Sequence, residues 1–223
     1  MSAVNEWIVR EYFEQLGYLT SQPCKYLSSV RHKRAEEELD LLIQRSSAAV
    51  HQPPAHMIWT TGDLAGVTRA VVGVRGWHTD RIYATTLEQT PKILRFAGPA
   101  ARKAAAERLG SGEIAAILCV PELPASGDLK EKTLRALRDR GIDGVLSFRT
   151  MLKELVGMVR VNLNYDKSDL LQVLRILKNY RLLRDPQMDL FAGGRRSTRR
   201  SATGKAGTGE TGRRDEGGGR GDA

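Results

Sequence analysis

Cysteine is scarce in this chain of 223 residues, which has only Cys24 and Cys119. The two lie far apart, and neither belongs to a CxxC pair or lies beside paired histidines, so the sequence predicts neither a disulfide framework nor a zinc site. No run of about 18 apolar residues occurs, and the first residues are acidic where a signal peptide would be basic and then apolar. We therefore expect a soluble protein of the cytoplasm with no membrane partner.

Glycine-rich phosphate-binding motifs are also missing. The chain has no GxGxxG and no P-loop pattern, which argues against a dinucleotide-binding or P-loop enzyme. What is present is an excess of basic residues, with a formal net charge of +9, and enough apolar residues (41%) to bury a core. An excess of lysine and arginine favours phosphate-rich partners.

Part of this positive charge lies in a C-terminal stretch of unusual composition. From Gly193 to Ala223 there are ten glycines, eight basic residues and four acidic ones, and no aliphatic residue larger than alanine. Such a segment cannot bury enough apolar surface to offset the entropy of ordering, so we expect a disordered tail. It is either a solubilising extension or a loose contact to nucleic acid through Arg195, Arg196, Arg199 and Arg200.

The order of predicted elements indicates an α/β fold with a central mixed β-sheet flanked by helices. Helical spacing of apolar residues predicts a helix over residues 3–16 that ends at Gly17. Three strands should follow, the last over residues 69–77, and then helix, strand, helix, strand and two final helices. We divide the chain into a core (1–125), an α/β extension packed on the core (126–190) and the tail (191–223).

Three ionisable residues occur in an informative order within this core. Glu6 lies on the first helix, eleven residues before Gly17. Asp40 lies in "EELDLLIQR", where alternation places Leu39, Leu41 and Ile43 opposite Glu38, Asp40 and Leu42. Arg75 lies in "VVGVRGW", two residues after Gly73. This order, over roughly residues 3 to 120, resembles the restriction endonuclease-like superfamily, whose PD-(D/E)XK pattern has a helix glutamate, a strand aspartate and a strand reading apolar, (D/E), x, Lys.

The resemblance implies a nuclease fold in which two carboxylates hold Mg²⁺ and a lysine orients the attacking water. Asp40 matches the aspartate, Arg75 takes the lysine position and Gly73 takes the position of the second carboxylate. Glycine supplies no ligand, and arginine suits a phosphate clamp better than a point charge beside water. We therefore expect a degenerate site of Glu6, Asp40 and Arg75 with an incomplete metal centre and no cofactor, in which Arg75 contacts nucleic acid.

Alternatives remain for each of these residues. A relocated carboxylate, Glu38 or Glu88, could complete a Mg²⁺ site with Asp40. Glu6 and the acidic run "AEEELD" are equally typical of solvated surfaces. A tryptophan at a strand end, here Trp77, is more often a core residue than a ligand contact, and His78 alone indicates no ligand.

Three hypotheses on function follow. The first is a nucleic-acid-binding protein, with DNA as the expected partner, that has a nuclease-like fold and an inactive metal site. The second is a divergent Mg²⁺-dependent DNA endonuclease. The third is an interaction or scaffold protein, with a protein partner or a second copy of the chain, because a fold does not fix a function.

Removal of residues 193–223 should leave the melting temperature nearly unchanged and weaken nonspecific binding to nucleic acid. The physical reason is that this segment offers positive charge but almost no apolar surface to bury. Calorimetry and a salt titration of DNA binding on the full and shortened chains test this. A large fall in melting temperature would show that the tail packs on the domain.

Overall fold

A five-stranded sheet lies at the centre of the structure, a computed structural model that describes residues 3–23, 39–46, 50–78, 80–110 and 112–183. In chain order the elements are α1 (Ala3–Gln15), β1 (Leu19–Ser21), β2 (Leu41–Gln44), a 3₁₀ helix (Gly62–Gly66), β3 (Arg69–Val74), α2 (Ala84–Gln89), a second 3₁₀ helix (Pro91–Ala97), α3 (Pro99–Leu109), β4 (Ala115–Val120), α4 (Gly127–Arg138), β5 (Gly144–Ser147), α5 (Phe148–Met158) and α6 (Asp169–Asn179). The predicted order of elements and the α/β class are confirmed.

The sheet is mixed, with its strands side by side in sequence order. β1 pairs antiparallel with β2, and β2 pairs antiparallel with β3. β3, β4 and β5 run parallel. The parallel pairs require long crossovers, which the helices between β3 and β5 supply. β5, from the segment predicted as an extension, is thus the fifth strand of this same sheet.

Helices cover both faces of the sheet. One face packs against α1, α5 and α6 through side chains such as Tyr12, Phe13 and Met151. The opposite face packs against α2, the second 3₁₀ helix, α3 and α4, with Leu87 and Phe96 in its core. Because helices cover both faces, every residue of β4 is buried, as is usual in parallel sheets with helices on each side.

The turn after α1 has the predicted glycine at its centre. Gly17 adopts a positive φ of 82°, and the amides of Gly17 and Tyr18 donate to the carbonyls of Glu14 and Phe13. This is a Schellman end, which needs the left-handed residue that glycine supplies without strain. Tyr18 is buried by this turn, and its hydroxyl lies 2.6 Å from the carbonyl of Leu64 and 2.7 Å from that of Val67. The Gly-Tyr pair thereby fixes α1 against the segment that enters β3.

The strand around Asp40 differs from the prediction in its start. β2 begins at Leu41, so strand alternation does not extend back to Leu39, which packs with Leu42 on the face opposite Leu41 and Ile43. The expected grouping of Leu39 with Leu41 and Ile43 is therefore wrong. β3 likewise ends at Val74, three residues earlier than expected.

Two further properties bear on the expectations from sequence. In the part of the chain that the structure describes, no helix has the length and apolarity needed to span a membrane. Cys119 lies fully buried in β4, and burial raises the pKa of its thiol above the usual range. Cys24 lies outside the described residues.

Candidate functional site

The structure brings Asp40 and Arg75 into direct contact at one edge of the sheet. Asp40 comes immediately before β2 and Arg75 immediately after β3, so antiparallel pairing of the two strands places them side by side. Arg75 Nη1 donates to Asp40 Oδ2, and the same oxygen accepts the backbone N–H of Val74 at 2.9 Å. Their side chains are only 8% and 12% exposed. The carboxylate thus joins the end of one strand to the next through a desolvated ion pair.

Arg75 makes further contacts that hold its guanidinium in place. Nε donates to the carbonyl of Ile93 at 2.8 Å, and Nη1 donates to the carbonyl of Val74 at 2.7 Å. Its Cζ lies 5.5 Å from the centre of the Phe96 ring, within the range of a cation–π contact. The arginine therefore links the end of β3 to the second 3₁₀ helix.

Gly73, at the position of the expected second carboxylate, lies beneath Phe96. A Cβ built at Gly73 would lie 2.2 Å from Phe96 Cε1 and 2.5 Å from two other ring atoms. The ring itself is fully buried. Glycine is required here because an aromatic ring occupies the space that any side chain would need. A phenyl ring thus takes the place where the resemblance puts a metal ligand.

Glu6 lies within electrostatic range of both residues. It is half-buried on α1, and its Oε2 accepts a hydrogen bond from Gln22 Nε2 at 3.0 Å. Burial raises the pKa of Glu6, the negative charge of Asp40 raises it further, and the positive charge of Arg75 lowers it. Asp40 and Arg75 are therefore in direct contact, and Glu6 is near enough for their charges to act on it.

These residues do not fit a Mg²⁺ site. A hard cation needs several converging oxygen ligands, but Asp40 Oδ2 already accepts from a guanidinium and from an amide. Among the described residues, no group of three or more His, Cys, Asp or Glu side chains is placed to hold a metal ion. Glu88 is an exposed residue of α2.

Several residues predicted to bind a metal ion or nucleic acid lie outside the described part of the chain, so the structure does not test them. Glu38, the proposed relocated ligand, is one. The tail arginines proposed to contact nucleic acid are the others, namely Arg195, Arg196, Arg199 and Arg200.

Asn5 is a residue of this region that sequence reasoning missed. It is 95% buried, its Nδ2 donates to the carbonyl of Gly76 at 3.0 Å, and its Oδ1 lies 2.7 Å from His78 Nε2. A Cβ at Gly76 would lie 1.9 Å from Asn5 Nδ2. The signal in the sequence was a polar residue one turn from the apolar Ile8 and Val9, which is too common to indicate a partner more than seventy positions away.

Trp77 differs from the expectation that it lies in the core. It is 41% exposed, whereas Trp59 is fully buried. The difference follows from the early end of β3, since the residues after Val74 leave the sheet.

Comparison of the chain with protein-family models, with curated proteins and with solved structures gave no match.

The contact between Gly73 and Phe96 gives a stability prediction. Gly73→Ala should lower the free energy of unfolding by about 1–3 kcal/mol, because the added methyl group overlaps the ring. Urea unfolding measures this. Phe96→Leu in the same chain should relieve part of the clash, so that the double variant loses less stability than the sum of the single losses.

Gly157→Ala is the matched control. Gly157 lies in the last turn of α5, and a Cβ there meets no heavy atom within 4 Å, so alanine should leave stability unchanged or raise it by up to about 1 kcal/mol. A Gly73→Ala variant as stable as Gly157→Ala would contradict the packing described here.

The raised pKa of Glu6 gives a prediction on pH. A carboxyl group whose pKa is higher in the folded state binds a proton on folding, so its contribution to stability falls as pH rises through the window between the ordinary and the raised pKa. Glu6→Gln removes this charge and keeps an oxygen that can accept from Gln22. The variant should show a higher urea midpoint than the parent at neutral pH, and no advantage below the ordinary glutamate pKa.

Glu14→Gln provides the comparison on the same helix. Glu14 is exposed and pairs with Arg10 at 3.6 Å, so its neutralisation should give no gain at neutral pH. Equal effects of the two substitutions would show that the pKa of Glu6 is not raised in the folded protein.

Proposed function

We propose that this protein binds nucleic acid through a restriction endonuclease-like fold in which a buried guanidinium has replaced the catalytic metal ion. The single observation that carries the proposal is the Asp40–Arg75 ion pair. It lies where the resemblance puts the metal, with Phe96 over Gly73 in place of the second carboxylate.

The arrangement of elements supports the resemblance. The helix with Glu6, the strand that follows Asp40 and the strand that precedes Arg75 occur in the order of the superfamily pattern, Asp40 contacts Arg75, and the charges of both act on Glu6. The positive charge beside Asp40 belongs to the side chain of Arg75 and not to a metal ion. Such a replacement stabilises the carboxylate of Asp40 and provides neither a Lewis acid nor an activated water.

The charge of the chain supports nucleic acid as the partner. A net charge of +9 favours phosphate-rich molecules through the release of their counterions. Because Arg75 is buried, we assign it to the framework of the site and place contact with phosphate on exposed cations. We expect DNA as the partner and a cytoplasmic location.

We expect the protein to bind DNA in solution without cleaving it. The full chain should retain a labelled DNA oligonucleotide with an affinity that falls steeply with salt, by a slope of about 0.7–0.9 per neutralised phosphate on logarithmic axes. It should leave supercoiled plasmid intact in both Mg²⁺ and Mn²⁺. Fluorescence anisotropy and gel electrophoresis are the two measurements.

Asp40→Asn distinguishes the alternatives. Nicking by the parent protein that this substitution abolishes, in a variant shown by circular dichroism to be folded, would establish the Mg²⁺-dependent endonuclease instead. Absence of any salt-dependent retention by the parent would favour the interaction or scaffold protein.

A further inference from the structure

A cleft of about 580 Å³ opens where the chain leaves the carboxyl ends of β3, β4 and β5. Loops that follow parallel strands meet at this edge of a sheet, which is where open α/β sheets commonly bind ligands. The polar residues that line the cleft follow these three strands, five of them from the segments after β3 and β4 and Arg149 from the start of α5. They are His78, Asp80, Arg81, Tyr83, Glu122 and Arg149.

Glu122 lies between the two arginines of this cleft. Arg81 Nη2 lies 3.3 Å from Glu122 Oε2, and Arg149 Nη1 lies 3.5 Å from Glu122 Oε1. These are long contacts between partly exposed groups, with Arg149 82% exposed, so each pair contributes little to stability. A second, smaller cleft adjoins the first at Glu122 and adds Lys130. Two arginines thus share one carboxylate that an anion could displace.

Two aromatic residues, Trp77 and Tyr83, belong to the segment that follows β3. Tyr83 lines the cleft, and Trp77 is 41% exposed. Trp77 directly precedes His78, which lines the cleft, and its carbonyl accepts from the amide of Asp80, another lining residue, at 2.9 Å. Exposed aromatic rings beside cations are the features on which unpaired bases stack in single-strand-binding proteins.

His78 is held in a defined orientation in the cleft. The Asn5 amide nitrogen donates to Gly76, so its oxygen accepts from His78 and the neutral ring carries its proton on Nε2. The ring also packs edge-on against Phe148 at 4.8 Å between centroids. Asn5 of α1 therefore fixes the orientation of the His78 ring, and Nδ1 is the ring nitrogen that can accept a hydrogen bond.

We propose that this cleft binds single-stranded nucleic acid, with Arg81 and Arg149 on a phosphate group and Trp77 and Tyr83 against the bases. The proposal rests on the proposed function and names its substrate class and its site. Glu122 holds the two arginines in the free protein and is displaced by the phosphate. A duplex keeps its bases stacked inside and cannot present them to the rings, so the single strand should bind more tightly.

The experiment compares full-length variants for binding of fluorescein-labelled oligothymidylate and of a duplex of equal length at fixed salt. Trp77→Ala should weaken binding of the single strand by about tenfold, the equivalent of one lost stacking contact, with a smaller effect on the duplex. Arg149→Ala should weaken binding of the single strand. Glu122→Gln should strengthen it, because it removes the competing charge from both arginines.

Arg135→Ala is the matched control for charge. Arg135 is an exposed arginine of α4 paired with Glu131 at 2.8 Å, and it lines neither cleft. Its loss should change binding less than the loss of Arg149. Circular dichroism and urea midpoints establish that each variant is folded.

The outcomes separate the inference from the proposed function. If the parent binds nucleic acid but Trp77→Ala, Arg149→Ala and Glu122→Gln all match Arg135→Ala, the cleft is not the binding site and the inference is wrong. A preference of the parent for the duplex overturns it as well. If the parent binds neither nucleic acid, the proposed function itself fails.

Discussion

A desolvated ion pair between Asp40 and Arg75 joins two neighbouring inner strands of this sheet where β2 begins and β3 ends. It links the start of β2 to the end of β3, and Arg75 links β3 to the second 3₁₀ helix through Ile93. Buried pairs of this kind are costly to break, since removal of one partner leaves an uncompensated charge and costs about 3–5 kcal/mol. The segment that supplies His78, Asp80, Arg81 and Tyr83 to the cleft follows Arg75 directly, so the pair fixes where that segment leaves the sheet.

Close packing at two glycines completes the arrangement on either side of Arg75. Gly73 admits the ring of Phe96 on one face of the sheet, and Gly76 admits the amide of Asn5 from α1. Each contact brings a helical segment nearer to β3 than a Cβ would allow. The helix with Glu6 and the 3₁₀ helix with Phe96 are therefore both fixed to the segment that contains Arg75, and Glu6 comes within reach of the charges there.

Under the proposed function, the guanidinium of Arg75 occupies the position that a metal ion has in the superfamily pattern. A metal ion would require converging oxygen ligands and would activate water, whereas a guanidinium needs hydrogen-bond acceptors and activates nothing. Asp40 and the carbonyls of Val74 and Ile93 supply those acceptors. Under the same proposal, the partner contacts exposed groups of the cleft in which Arg81 and Arg149 share Glu122.

The sequence by itself determined the order of elements, the α/β class and the end of α1 at Gly17, because periodicity and the glycine turn are local properties. It also pointed to Asp40 and Arg75, because their order and spacing resemble the restriction endonuclease-like pattern, which puts both residues in one site. Only the tertiary structure decided that Phe96 covers Gly73, that Asn5 holds Gly76 and His78, that Leu39 packs with Leu42, and that Trp77 is exposed. These contacts join residues distant in sequence or depend on where a strand stops, and no local pattern records either.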